Sequence, residues 1–146
     1  MIFYGIDNQT VDFRITNYEF PKTSNDEHDD NWLLIYLNVK SKMGNWQTID
    51  PSLVIWEVEE LIDWFRTLLQ NKQPKFANLS FIEPNLSVEL LENAETSKFR
   101  IKFDLESKPQ SAKENEKYYV DCVADKQELK RIVEELEKEL EKYPKR

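Results

Sequence analysis

The sequence predicts an α+β fold, built from a mainly antiparallel β-sheet of about eight strands and two amphipathic helices. Several short stretches alternate apolar and polar residues, and two longer stretches carry apolar residues at three- and four-residue spacing. The connections between strands are short, which favours antiparallel hairpins. The order β(4–5)-α-β(4)-α is typical of α+β rather than of doubly wound α/β proteins. A length of 146 residues predicts a single domain spanning residues 1–146.

The first half of the chain carries the first group of strands. Val11, Phe13 and Ile15 alternate with polar residues, which predicts a strand with one wet face. Gly44 lies where a hairpin turn needs a positive φ. Pro51 is expected to close the returning strand, because proline cannot donate to a ladder. The predicted strands cover residues 2–6, 10–16, 32–39 (a central strand) and 46–49, followed by a short extended piece over residues 52–55.

Two helices separate and follow the second group of strands. The first is predicted over residues 56–71, where apolar residues form one stripe. The second is predicted to begin at Asp125, which has the spacing of a capping box with Glu128, and to stop at Pro144. The strands predicted between the helices cover residues 76–82, 86–90, 99–105 and 118–123.

The residues needed for common catalytic sites are missing from the sequence. His28 is the only histidine and Cys122 the only cysteine, and Cys122 lies in an apolar stretch without an activating cation. Two isolated glycines exclude the phosphate-binding loops of nucleotide enzymes. The sequence therefore predicts a binding protein without a catalytic, cofactor or metal site. A hydrolase with an unrecognised pair of carboxylates remains an open alternative.

The net charge of −8 argues against a nucleic-acid partner, since such binding depends on cations that meet phosphates. It is compatible with a cationic protein partner, because opposite fields speed the encounter. The acidic loop over residues 21–31 is favoured as a solvated segment. It also lacks the glycine and the distal glutamate of a calcium loop. Its candidate partner-binding residues are Asp26, Glu27, Asp29 and Asp30.

The four tryptophans lie within 33 residues of one another. Core packing is the first interpretation, and it is favoured for Trp32. Trp64 lies beside the apolar stripe of the first helix. Trp46 and Trp56 lie at the ends of predicted elements, and an exposed tryptophan beside acids would make an interface anchor. Trp46 and Trp56 therefore join the candidate partner-binding residues.

The compartment is predicted to be the cytoplasm. A single cysteine cannot form an internal disulfide, which favours a reducing environment. The first residues lack a signal-type leader, and no stretch approaches the ~20 apolar residues of a membrane span. We therefore expect a soluble intracellular protein.

The chain resembles the WapI-type immunity proteins of bacterial polymorphic-toxin systems over nearly its whole length. The residues that carry this resemblance form short motifs spread along the chain. They are Tyr18-Glu19-Phe20-Pro21, Asp30-Asn31-Trp32-Leu33, Gly44-Asn45-Trp46, Asp50-Pro51, Glu57, Leu61, Trp64-Phe65-Arg66-Thr67-Leu68, Phe81-Ile82-Glu83-Pro84-Asn85-Leu86 and Tyr143-Pro144-Lys145-Arg146. The resemblance implies a cytosolic protein that binds the toxic domain of a cognate effector, often a cationic nuclease, and blocks it. The alternative from a different class is a homo-oligomeric structural or regulatory module that associates through the tryptophan region or a sheet edge.

Overall fold

The computed structural model describes residues 1–22 and 26–146. Two antiparallel four-stranded sheets confirm the predicted α+β fold. Sheet one has the order β1-β2-β3-β4 and sheet two the order β5-β6-β7-β8. The strands are β1 (Ile2–Tyr4), β2 (Thr10–Tyr18), β3 (Trp32–Ser41), β4 (Gly44–Val54), β5 (Asn78–Ser80), β6 (Leu86–Asn93), β7 (Ser97–Phe103) and β8 (Tyr118–Ala124). The helices are α1 (Glu27–Asp30), α2 (Ile55–Leu69) and α3 (Lys126–Glu141), and short 3-10 turns cover Ile6–Asn8 and Leu105–Ser107.

The predicted strand ends need two corrections. The strand expected to close at Pro51 continues to Val54, because β4 is the edge strand of sheet one and Pro51 lies beside a register shift between Leu33 and Leu34. An edge strand tolerates a residue that cannot donate to a neighbour. The strand predicted over residues 76–82 is reduced to the three residues of β5. The hairpin at Gly44 is confirmed, and Gly44 has a φ of 121°.

The two sheets meet along β1 and β8. An isolated antiparallel bridge joins Gly5 to Cys122, and a Cβ atom at Gly5 would lie 2.5 Å from Cγ1 of Val120. This close approach requires glycine. On the other side Trp46 of β4 reaches across to sheet two, where its Nε1 donates to the Ser107 carbonyl at 2.9 Å. The two sheets are therefore fastened at two places.

The core lies where both sheets meet the helices. Phe65 of α2 is fully buried, with its ring 5.8 Å from that of Phe3 and 5.0 Å from that of Phe99. The predicted cap of the last helix is half confirmed. The Asp125 side chain accepts from the Glu128 amide at 2.8 Å, whereas the Glu128 carboxylate binds Arg131. Among the described residues, none of the helices combines the length and the apolar character that crossing a membrane requires.

Candidate functional site

An open groove of about 410 Å³ lies at one end of sheet one. Its walls come from the end of β2, from α1, from the start of β3, from the middle of β4, from the segment after β5 and from the 3-10 turn after β7. We call it the acidic groove, defined by its lining residues. These are Glu19, Phe20, Asp29, Trp32, Asp50, Pro51, Glu83 and Glu106.

Specific contacts hold these distant segments together. The Glu19 amide donates to the Trp32 carbonyl at 2.9 Å, which continues the pairing of β2 with β3. The Asn85 amide group donates to Oδ2 of Asp50 at 2.6 Å and so ties the segment after β5 to β4. The Trp46 bond to the turn Leu105–Ser107 brings Glu106 to the same edge. Pairings far apart in the sequence thus build the groove.

The charges of the groove repel one another. The pKa of Asp50 is raised, first by its burial and then by Glu106, while the hydrogen bond from Asn85 opposes the shift and Glu19 and Glu83 add to it. None of the five groove acids forms an ion pair with a residue in the described parts of the chain. The groove is therefore a concentration of unneutralised negative charge.

Exposed apolar side chains accompany these acids. Phe20 is 42% exposed and Trp32 is half-buried, and both line the groove beside Pro51. Each of three groove acids also has an exposed large hydrophobic residue as its preceding chain neighbour. These pairs are Ile49 with Asp50, Ile82 with Glu83 and Leu105 with Glu106. Of the eight large hydrophobic side chains that are exposed in the described chain, Phe20 thus lines the groove and three others directly precede groove acids in the sequence, a grouping typical of an interaction surface.

The predicted acidic residues are divided among different roles. Asp26 caps the N-terminus of α1, with Oδ1 accepting from the His28 amide at 2.9 Å. Glu27 pairs with Lys145 at 2.8 Å, and this bond lowers the pKa of the carboxyl group. Asp29 is exposed and lines the groove, whereas Asp30 is buried, so its prediction as a surface contact needs correction. Residues 23–25 of the predicted loop lie outside the described residues.

The tryptophans are placed differently from the prediction. Trp46 is buried, with its ring 5.5 Å from that of Phe103, so its prediction as an exposed anchor needs correction. Trp56 is half-buried between His28, at 5.1 Å between ring centroids, and the Lys145 ammonium, at 5.8 Å from its ring. Trp32, which was favoured for the core, is instead the tryptophan that lines the groove.

The last residues of the chain cover part of the predicted acidic turn. The Arg146 amide donates to Oδ1 of Asn31 at 2.9 Å, and the Arg146 guanidinium lies 3.5 Å from the centre of the Tyr18 ring. The Lys145–Glu27 ion pair neutralises one acid of that turn, and the Arg146 guanidinium also donates to the Phe20 carbonyl at 3.2 Å. Asp29 of the same turn lines the groove and forms no ion pair in the described chain.

Two other titratable side chains of the described chain, Cys122 and Glu57, are buried. The Cys122 thiol is buried, and this burial raises its pKa to about 12. Glu57 is buried and its pKa is raised by burial, but its carboxylate accepts from the amides of Val54 at 3.0 Å and Ile82 at 2.6 Å. Among residues 1–22 and 26–146, no group of three or more His, Cys, Asp or Glu could hold a metal ion.

Most of the groove was missed by reasoning from the sequence. A signal was present, because three groove acids precede a proline by one or two positions in the sequence. These three motifs are Glu19-Phe20-Pro21, Asp50-Pro51 and Glu83-Pro84. Nothing in the sequence indicates that the three motifs meet.

Comparison with known proteins identifies a family. The model of the Immunity protein WapI-like family matches residues 1–144. No curated protein and no solved structure matches the chain.

Proposed function

The chain belongs to the Immunity protein WapI-like family, and from this premise we propose that it is a cytoplasmic, non-catalytic protein that neutralises a cognate toxin domain by binding it directly. The proposed toxin domain is cationic, as nuclease domains often are. The observation that carries this proposal is the acidic groove, whose five carboxylates form no ion pair within the described chain.

The charge of the chain supports a cationic partner. A net charge of −8 produces a field that attracts positively charged proteins and accelerates their encounter. The unpaired carboxylates of the groove strengthen that attraction locally. A cation that binds beside them forms charge-assisted hydrogen bonds, which are stronger than hydrogen bonds between neutral groups. Inhibition by binding requires no chemistry from the inhibitor itself.

The test is rescue of cells from the cognate toxin. The toxic domain of the cognate effector, sought as the C-terminal domain of a secreted protein encoded by a neighbouring gene, is expressed with and without this chain, and an unrelated toxin domain serves as the control. We expect growth to recover only with the cognate pair and the two proteins to co-purify at low salt. If cells die in spite of co-expression and the proteins do not co-purify, the proposal is wrong.

One observation keeps a hydrolase as a second candidate. Asp50 has a raised pKa and lies near Glu106, which is the arrangement expected of an acid and its partner. The groove is open, however, and its apolar lining is better suited to a protein surface than to a reacting substrate. Turnover of glycosidic or ester substrates by the purified chain, lost in Asp50→Asn and Glu106→Gln, would support this candidate instead.

The homo-oligomeric module makes a different prediction from the toxin inhibitor. Light scattering would show a stable oligomer that dissociates when Trp56, the half-buried member of the predicted tryptophan pair, is replaced by alanine. The toxin-binding proposal requires the groove to be accessible, and it is compatible with a monomer in solution.

A further inference from the structure

We infer that the acidic groove is the docking surface for the toxin, and that its occupant is an arginine side chain presented by a loop of the toxin domain. This inference rests on the proposed function and adds to it the surface and the chemistry of the contact. Of the predicted acidic turn, Asp29 lines the groove, whereas Glu27 is already paired with Lys145.

The groove acids lack the ion pairs that several acids elsewhere in the described chain form. On sheet two Asp121 is bound by Arg100 through two contacts of 2.7 and 3.0 Å, and on α3 Glu128 and Glu135 share Arg131. The five groove acids share no such cation in the described chain, and three of them raise the pKa of the fourth, Asp50. A cation from outside the chain would relieve this repulsion around Asp50.

The apolar lining of the groove is a second observation, independent of the charges. Neither Phe20 nor Trp32 stacks on another aromatic ring or under a cation of the described residues, whereas the rings of Tyr18, Tyr36 and Tyr119 each lie under an arginine. Exposed aromatic rings in a concave site are typical anchors of protein interfaces. The groove therefore offers both carboxylates and free ring faces to one occupant.

Arginine fits a site of carboxylates and aromatic rings better than lysine does. A guanidinium is planar, stacks on aromatic faces and donates two parallel hydrogen bonds to a carboxylate, whereas an ammonium is a compact point charge. The chain itself uses this arrangement, because the Arg100 guanidinium lies 3.8 Å from the Tyr119 ring centre while it binds Asp121. An arginine entering the groove would find the same pair of groups.

The experiment measures binding of the catalytically inactivated cognate toxin domain, identified by the rescue test, to two triple variants. The groove variant is Asp50→Asn, Glu83→Gln and Glu106→Gln. The control is Glu92→Gln, Glu95→Gln and Glu114→Gln, at exposed acids without an ion pair in the described chain and outside the groove. Both triples change the net charge from −8 to −5, since each removes three negative charges. The comparison therefore isolates position from charge.

We expect the groove triple to weaken binding about 100-fold, from roughly fivefold for each lost charge contact, and the control triple to change it less than about threefold. Phe20→Ser, at an exposed ring, should weaken binding about tenfold, and circular dichroism checks that every variant is folded. On the toxin, each exposed arginine is replaced by alanine in turn. One of these replacements should weaken binding to the unmodified chain but should not weaken binding to the groove triple any further. Replacing that arginine by lysine should not restore the affinity.

The results separate this inference from the proposed function. If the two triples bind the toxin domain with equal affinity and both rescue cells, the groove is not the docking surface, although the immunity function would still hold. Full binding of the lysine variant would overturn the choice of arginine. Absence of both binding and rescue with the unmodified chain would overturn the proposed function itself.

Discussion

Asp50→Asn should make the free protein more stable at neutral pH although it weakens toxin binding. Asparagine keeps the size of the side chain and an oxygen that can accept from the Asn85 amide, as Oδ2 of Asp50 does at 2.6 Å. The substitution removes a carboxylate whose ionised form is disfavoured by burial and by Glu106. The folded state therefore loses an electrostatic cost and keeps its hydrogen bond.

The magnitude follows from the kind of contact that is lost. Like charges on a protein surface cost a few tenths of a kcal/mol for each close pair, so relief of several such pairs should raise the free energy of unfolding by about 0.5–1 kcal/mol. For a chain of this size that corresponds to an increase in melting temperature of roughly 1–4 °C. The shift is small but within reach of calorimetry.

The stabilising effect of Asp50→Asn should depend on pH. The folded pKa of Asp50 lies above its ordinary value of 3.8, so the folded state binds this proton more tightly than the unfolded state. The cost is fully present above the folded pKa and is lost as the pH falls toward 3.8. The advantage of Asp50→Asn should therefore be largest near pH 7 and shrink near pH 4.

Calorimetry at pH 7 and pH 4 tests both parts of the prediction, with Glu92→Gln as a matched neutralisation outside the groove. Glu92 is exposed and forms no ion pair within the described chain, so its variant should melt close to the unmodified protein at both pH values. If Asp50→Asn melts below the unmodified protein at pH 7, the groove carries no electrostatic cost and our account of Asp50 is refuted.

Three further substitutions or reactions test the fold. Trp46→Ala should destabilise the protein by about 3–5 kcal/mol in urea unfolding, because it removes a buried ring and the donor to the Ser107 carbonyl; a loss below ~0.5 kcal/mol would contradict the burial of Trp46. Gly5→Ala should cost about 1–3 kcal/mol in the same assay, since its Cβ would meet Val120 at 2.5 Å, and a neutral result would mean that the sheets can separate there. Cys122 should resist thiol reagents until urea unfolds the chain, and rapid labelling of the folded protein would contradict a buried thiol with a pKa of about 12.

The periodic parts of the fold were predictable because they follow local rules. The apolar stripe predicted over residues 56–71 corresponds to α2, and the Asp125 cap marks the start of α3. The failure at Pro51 has a physical reason. Proline excludes a residue from the interior of a sheet but not from its edge, and the position of β4 at the edge is a property of the tertiary structure.

The roles of Trp32 and Trp46 could have been derived from strand register. Alternation along β3 buries Leu33 and Ile35 and so turns Trp32 to the other face. Trp46 pairs with the buried Val39 across the hairpin, which places its side chain on the inner face. The register of a short hairpin is fixed by its turn, so this information was present at Gly44.

The groove itself could not have been predicted, because its charges come from segments up to 87 positions apart, from Glu19 to Glu106. What unites them is the contact of Asn85 with Asp50 and of Trp46 with Ser107, and neither contact has a local signal. In a sequence with 28 acidic residues, five acids from different segments do not stand out.

The division between paired and unpaired acids argues for a role in binding rather than in solubility. Acids that serve only solubility can be dispersed or paired, as they are along α3, at no cost to the folded state. Gathering carboxylates around Asp50 instead raises the energy of the free protein, and a cationic partner recovers that energy when it binds. If these acids served only solubility, Asp50→Asn would not change the affinity for the toxin. Opposite changes in stability and affinity in that one variant would therefore identify the groove as a surface maintained for its partner.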